Sequence, residues 1–233
     1  VVTADGEIDG EHSGGSGLTG NITNTLTNND TIVHKVVYHF TPRIDPDDGG
    51  PDCINGIDTT ITVWVNPTPE IRVSAPDTVI CDGDNVTLTV RNPNIPIRGN
   101  WTYDLEVTPD PEIEGADGGG SDRTDLTISD DLVNNDTVVR KVVYRFIPNI
   151  YNDDGAVTSC PNGIDTVITI WVNPTPEIRV STDSVICDGD NVTLTVRNPN
   201  VPIRGTWIYD LVVTADGEID GEHSGGSGLT GNI

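Results

Sequence analysis

The chain is 233 residues long and carries 37 acidic against 12 basic side chains, a net charge of −25. That balance argues against nucleic acid, whose phosphates are met by Lys and Arg, and against an anionic membrane surface. It leaves a soluble, self-repelling surface or one that gathers cations. With 25 Gly, 16 Pro and no Met, long helices are not expected, and the abundance of Thr, Val, Ile and Asn favours strands and turns.

Residues 1–22 (VVTADGEIDGEHSGGSGLTGNI) return letter for letter at 212–233. NNDTIVHKVVYHF (28–40) returns as NNDTVVRKVVYRF (134–146). NGIDTTITVWVNPTPEIRVS (55–74) returns as NGIDTVITIWVNPTPEIRVS (162–181). VICDGDNVTLTVRNPNIPIRG (79–99) returns as VICDGDNVTLTVRNPNVPIRG (185–205). The unit is therefore about 106 residues and the longer period is two units, the signature of an array. A unit of that length matches one β-sandwich of roughly 100 residues. The matching ends imply a slice of a longer array, with targeting signals lying elsewhere. Pro-rich linkers at Asn66-Pro67-Thr68-Pro69 and Asn173-Pro174-Thr175-Pro176 should be extended and stiff. They divide the chain into the C-terminal part of one repeat (1–66), a complete repeat (67–173) and the N-terminal part of the next (174–233).

In the complete repeat, Val86, Leu88 and Val90 alternate with Thr87 and Thr89, which predicts a half-buried strand. Trp101, Tyr103, Leu105 and Val107 share a second strand face. Val138, Val142, Tyr144 and Phe146 share a third. Ile168, Ile170 and Val172 share a fourth, with Trp171 opposite. Turns are predicted at 81–84, 91–94, 114–121 and 152–155, and no stretch has helical periodicity with caps. No apolar run approaches the about 18 residues of a membrane span. The reading is all-β: tandem immunoglobulin-like or PKD-like sandwiches forming an elongated rod. Trp101 takes the place of the core Trp of strand C, and Trp207 repeats it. No Cys lies on the strands that would face that Trp, so the likeness to antibody domains is architectural.

The motifs Val79-Ile80-Cys81-Asp82-Gly83-Asp84-Asn85-Val86-Thr87-Leu88, Asn162-Gly163 and Trp171-Val172-Asn173-Pro174 carry a closer resemblance. The sequence resembles the PKD-like and Ig-like repeats of giant surface adhesins of Bacteroidota, proteins exported by type IX secretion. The resemblance covers the whole chain and implies an extracellular, cell-surface location and a role in gliding, surface fibres or prey capture. It also gives meaning to a recurring Asp-Ser/Thr-aliphatic triplet, the pattern those bacteria O-glycosylate. Its acceptors here are Thr31, Thr59, Thr78, Thr137, Thr166 and Ser184. The same residues serve equally as ordinary turn-to-strand transitions. The Asn-x-Thr sequons at Asn21, Asn29, Asn85, Asn100, Asn135 and Asn191 matter only in a eukaryotic source.

Four Cys occupy matching positions of two repeats. A pair within the domain, Cys81 with Cys160, would stabilise it by about 3–5 kcal/mol. Cys53 with Cys81 and Cys160 with Cys187, a bond between neighbouring domains, and free thiols stay open beside it. Zinc is disfavoured by the lack of a CxxC pair. Asp45, Asp47 and Asp48, and Asp153 and Asp154, are weak calcium candidates beside plain solvated turns. Calcium is the one cofactor in question. No nucleophile elbow, phosphate loop or HExxH motif is present, so an enzyme is not expected.

Two functions fit. In the first the chain is a structural segment of a long surface filament or stalk, self-assembling into a multichain fibre. Host, prey or surface glycans would then be met by a region outside this segment. In the second each repeat binds a carbohydrate or protein. Trp64 and Trp171, on strand faces opposite the apolar ones, are packing residues in the first case and ligand contacts in the second.

Overall fold

A computed structural model describes residues 1–46, 49–153, 159–160 and 163–231. The first segment has strands β1 (Val2–Ala4), β2 (Ile8–Asp9), β3 (Thr27–Asn28), β4 (His34–Phe40) and β5 (Thr59–Val65). The central segment has β6 (Arg72–Ser74), β7 (Val79–Ile80), β8 (Asn85–Arg91), β9 (Asn100–Pro109) and β10 (Ile113–Glu114), then β11 (Gly120–Arg123), β12 (Thr127–Asp131), β13 (Val133–Asn134), β14 (Arg140–Tyr151) and β15 (Thr166–Val172). The last has β16 (Arg179–Ser181), β17 (Thr195–Arg197), β18 (Tyr209–Leu211) and β19 (Gly226–Leu229). Among the described residues every regular element is a strand.

The central strands form a sandwich. One sheet has the order β11-β9-β14-β15-β7 and the other β12-β8-β6. The first stretch of the repeat is shared between them. β6 lies antiparallel to β8, the chain crosses over at Ala75-Pro76, and β7 then pairs parallel to the end of β15 through Trp171↔Val79 and Val172↔Ile80. Pro76 suits that crossover, because it has no N–H to give to either ladder. The inward residues are those the alternation singles out. Leu88, Val90, Tyr103, Val142, Tyr144, Phe146, Ile170 and Val172 are all 0–1% exposed and belong to one core. Each large apolar side chain removed from water there contributes about 1.5–3 kcal/mol.

One strand departs from the pattern in two ways. Val138 precedes β14 and does not join it, and β14 runs on through Pro148 to Tyr151. Its pairing with β15 stops at Phe146↔Thr166, while its pairing with β9 continues to Tyr151↔Asn100. Pro148 thus sits where β14 has a neighbour on one side only, which is where a strand tolerates proline. Two core hydroxyls need partners. Tyr144 donates to the Asp130 carboxylate at 2.5 Å and Tyr103 to the Asp125 carbonyl at 2.8 Å. Burial, above all, pushes both phenols well above their ordinary range.

The two flanking segments each carry part of this plan. β1, β4 and β5 form a three-stranded sheet with β5 at its edge, and β16 with β17 and β18 with β19 form two-stranded ones.

Candidate functional site at the repeat junctions

The linkers after β5 and β15 are not free spacers. Loop 91–98, between β8 and β9, folds back onto the preceding segment. Asn92 starts it by accepting the Asn94 N–H at 2.8 Å, an Asx turn. Asn94 is 0% exposed. Its amide nitrogen donates to the carbonyls of Thr31 (3.0 Å) and Thr68 (3.2 Å), and its oxygen accepts from the Glu70 N–H at 2.6 Å. One side chain therefore ties the preceding segment, the linker and the start of the next sandwich. The Val33 N–H adds a bond to the Pro96 carbonyl at 2.9 Å.

A second clasp lies alongside. Asn66 donates to the Arg98 carbonyl at 2.7 Å and accepts from the Arg98 N–H at 2.8 Å. Asn66 also donates to Asn152 at 2.8 Å. The Arg98 guanidinium lies 5.1 Å from the ring centre of Trp64, and the Lys35 ammonium 5.6 Å from it, a cation–π arrangement. Trp101 donates its indole N–H to the Glu70 carbonyl at 3.1 Å, so this core-edge Trp holds the linker as well as the sandwich. Pro67 and Pro69 are buried.

The second junction repeats the first. Asn200 is 1% exposed, donates to the Thr137 carbonyl at 3.0 Å and accepts from Glu177 N–H at 2.6 Å. Asn173 and the Arg204 backbone exchange two bonds of 2.8 Å. Val139 N–H reaches the Pro202 carbonyl at 3.0 Å. Trp207 donates to Glu177 at 3.0 Å. Arg204 and Lys141 lie 3.9 and 5.7 Å from the Trp171 ring centre. Trp64 and Trp171 are thus occupied by cations of the adjoining loop and of their own sheet.

The Asp-Thr triplets support the same joint. Asp30 accepts the Thr31 N–H at 2.6 Å and Asp136 the Thr137 N–H at 2.6 Å, which presents the two Thr carbonyls to Asn94 and Asn200. Asp30 is in turn held by His34 at 2.9 Å, and Asp136 by Arg140 at 2.7 Å. Asp5 lies 3.5 Å from the other His34 nitrogen. Asp30, then Asp5, raise the His34 pKa above 6.5, and His34 lowers that of Asp30 below 3.8. The signs follow from linkage. The His34 contribution is complete below about pH 6.5 and is lost as pH rises through the raised folded value. The Asp30 contribution is complete above pH 3.8 and is lost as pH falls through the lowered one. The protection of the Val33 amide, measured relative to its intrinsic base-catalysed exchange, is therefore expected to fall on the alkaline side in the parent chain. His34→Arg, which copies the second junction, should flatten that dependence, and an unchanged slope would show that the pair does not support the joint.

Of the acceptor candidates, Thr31, Thr59, Thr78, Thr137 and Ser184 are exposed. Thr166 is half-buried and its hydroxyl donates to the Ile71 carbonyl at 3.1 Å.

All four Cys are free thiols. The parallel β7–β15 pairing puts Cys81 beside the end of β15, whereas Cys160 precedes its start and donates its N–H to Ile150. The length of β15, about 20 Å, separates them, and a disulfide needs Cα atoms about 4.4–6.8 Å apart. Cys53, bridged to Ile44 ahead of β5, lies in the first segment at the position that Cys160 repeats. Cys187 lies in a turn like that of Cys81. The sequential pairs Cys53–Cys81 and Cys160–Cys187 are therefore each split between two segments.

Among the described residues no three His, Cys, Asp or Glu side chains are placed to hold a metal. Asp47, Asp48 and Asp154 lie outside the described residues. Asp45 is exposed, and Asp153 pairs with Arg98 at 3.5 Å. The acidic turn 81–84 serves the backbone. Asp84 accepts the Cys81 N–H at 3.0 Å, and Asp82 accepts the Asn134 N–H at 2.7 Å and the Thr175 hydroxyl of the following linker.

The sequence places Asn66 and Asn173 in the linkers and Asn94 in a turn, but it does not mark these residues, or Arg98, Asn200 and Arg204, as partners in a joint. Their signal was present in the unchanged return of the Arg-Asn-Pro-Asn-x-Pro-Ile-Arg-Gly loop.

A sequence-family profile described as a PKD-like domain matches residues 1–69 and 78–176. No curated protein matches the chain.

Proposed function

The chain belongs to the PKD-like domain family, and from that premise we propose that it is a structural repeat segment of a long extracellular filament or adhesin stalk. Domains of this kind are generally non-catalytic and extracellular, and no described helix is long and apolar enough to cross a membrane. The observation that carries the reading is the recurrence, at two successive junctions, of the same core of bonds: Asn94 and Asn200 to a Thr carbonyl and a Glu N–H, and Asn66 and Asn173 to the Arg98 and Arg204 backbone. A joint written into every repeat fixes the same angle at every step, so an array becomes a rod of defined pitch. At about 3.3 Å per residue, a ten-residue strand gives each repeat a rise of about 35 Å.

The net charge of −25 keeps such rods apart in dilute salt and lets them approach as salt screens it. The resemblance to surface adhesins of Bacteroidota supports attachment, gliding or prey capture as the setting, with self and surface glycans as partners. The alternative, a ligand-binding repeat, has in its favour the half-open cleft of about 410 Å³ between Trp64, Asn66, Arg98 and Asp153. Arg98 and Lys35 already occupy the Trp64 ring, which favours packing over sugar binding.

Small-angle scattering of the whole chain tests the reading. A rigid, elongated particle is expected, and Trp64→Ala with Trp171→Ala should broaden its distance distribution by loosening both joints. An identical distribution for parent and variant would remove the support for a fixed joint. Saturable glycan binding that those two substitutions abolish would favour the alternative.

A further inference from the structure

The four cysteines are of two kinds by place. Cys81 and Cys187 open the same turn, each giving its N–H to the Asp three residues on, at 3.0 and 3.1 Å. Cys53 and Cys160 precede the last strand of their repeats. Each gives its N–H to an isoleucine carbonyl, Ile44 or Ile150, at 2.8 Å. The two kinds sit at opposite ends of a repeat, and both ends are junctions.

Cys81 belongs to the second junction. The Asn173 N–H donates to the Ile80 carbonyl at 2.9 Å, and Asp82 takes the hydroxyl of Thr175 in the linker. Ile80 is buried and Cys81 exposed, so the thiol faces outward beside Asn173. Cys160 belongs to the first junction. Its Sγ lies 3.8 Å from the Asn152 side-chain oxygen, which accepts from Asn66 at 2.8 Å. Asn66 and Asn173 are one position in successive repeats, with the same clasp to Arg98 and Arg204. In a junction flanked by two complete repeats, both kinds of cysteine therefore stand around a single linker Asn. One comes from the repeat that ends there and the other from the repeat that begins there. Within residues 1–233 each junction holds one of the two.

We propose that a disulfide crosses every junction of the array, joining the turn cysteine of one repeat to the strand cysteine of the next. With an exact period of two repeats, the bonds are Cys81 to a following copy of Cys53, and Cys187 to a following copy of Cys160. Each forms as two thiols give up two protons and two electrons to a disulfide oxidant, which leaves as two thiols. Such bonds persist in an oxidising, extracellular setting, and to that extent the inference rests on the stalk reading. It adds a mechanical property. The bonds complete a covalent path that runs along β15, through the linker and the first stretch of the next repeat (160–187), then across sulfur to the following junction. Residues 82–159 lie off that path, so unfolding them would not lengthen the rod.

The test is a chain lengthened by one period, residues 1–211 followed by 1–233, a join without a seam because 1–22 and 212–233 are identical. The monomer is treated with oxidised glutathione, alkylated, and digested with trypsin without reduction. Tryptic peptides 44–72, 73–91, 146–179 and 180–197 each hold one Cys and differ in sequence. The expected products are 73–91 bonded to 44–72 and 180–197 bonded to 146–179, once each per molecule, with the remaining thiols alkylated. The parent chain, treated alike, should keep all four thiols. Cys81→Ser in the lengthened chain should remove the first product and leave the second, which also reports that the variant folds. Peptide 73–91 bonded to 146–179 would mean a pair within one sandwich, and either expected product in the parent monomer would mean a sequential pair. Each of these, or a lengthened chain with every thiol still free, would overturn the proposal. None would alter the scattering of the parent, and so the stalk reading is tested separately.

Discussion

Asn94→Leu is expected to destabilise the joint between the first segment and the central sandwich by about 3–5 kcal/mol. The side chain is 0% exposed and meets three backbone groups: the Thr31 and Thr68 carbonyls and the Glu70 N–H. Leucine fills a similar volume but removes the partner of all three, at about 1–3 kcal/mol for each group that water does not reach. Denaturant unfolding with amide exchange at Glu70 and Val33 measures it. Glu70 should lose protection first, since its N–H bonds directly to the missing oxygen.

Asn94→Asp separates charge from shape. The acceptor for Glu70 survives, but an ionised oxygen now faces two carbonyl oxygens. The loss should be deepest at neutral pH and should shrink as acid protonates the new carboxyl, because the neutral form can again donate a bond. A variant as stable as the parent at neutral pH would show that the amide donor does not hold the joint. Asn200→Leu should reproduce the result at the second junction, since its bonds to Thr137 and Glu177 have the same lengths.

Phe146→Ala is expected to cost the central sandwich about 3–5 kcal/mol, the usual loss for emptying an aromatic site in a close-packed core. Phe146 is 0% exposed, lies 5.7 Å ring to ring from Tyr103, and sits on β14 where it is paired on both sides, to Leu105 and to Thr166. Neither neighbour can move in without breaking a ladder. Phe40, its counterpart in the first segment, is 41% exposed. Phe40→Ala should cost the isolated chain under about 1 kcal/mol. Thermal unfolding of the two variants checks the contrast, and equal losses would mean that the first segment buries Phe40 after all.

That pair shows how far the sequence can be read. Alternation alone places Leu88, Tyr103, Tyr144 and Ile170 on inward faces, because a strand's period of two is a local property. The return of 55–74 at 162–181 announces the array and the linkers. Alternation does not say that the stretch before Val86 is shared between both sheets, since β6 and β7 are two or three residues long and their partners lie far along the chain. The parallel β7–β15 pairing follows from that division, and it is what parts Cys81 from Cys160. The strand through Pro148 was likewise out of reach, because a proline ends a strand unless the neighbour on its N–H side has already stopped.

The junction divides the same way. Sequence by itself determined the period, the strand faces, the stiff Pro linkers and the exact return of the loop that clasps them, all of which rest on local chemistry or on copying. Only the tertiary structure decided that Asn94 meets the carbonyl of a residue 63 positions earlier, and Asn200 another at the same distance. The buried Asn94 amide is recognisable only once its three partners are in place, and those come from two separate stretches of chain, around Thr31 and around Thr68 to Glu70. The identity of Phe40 and Phe146 is written in one repeat motif, yet one is exposed and the other sealed, because burial depends on which second sheet is present to cover them.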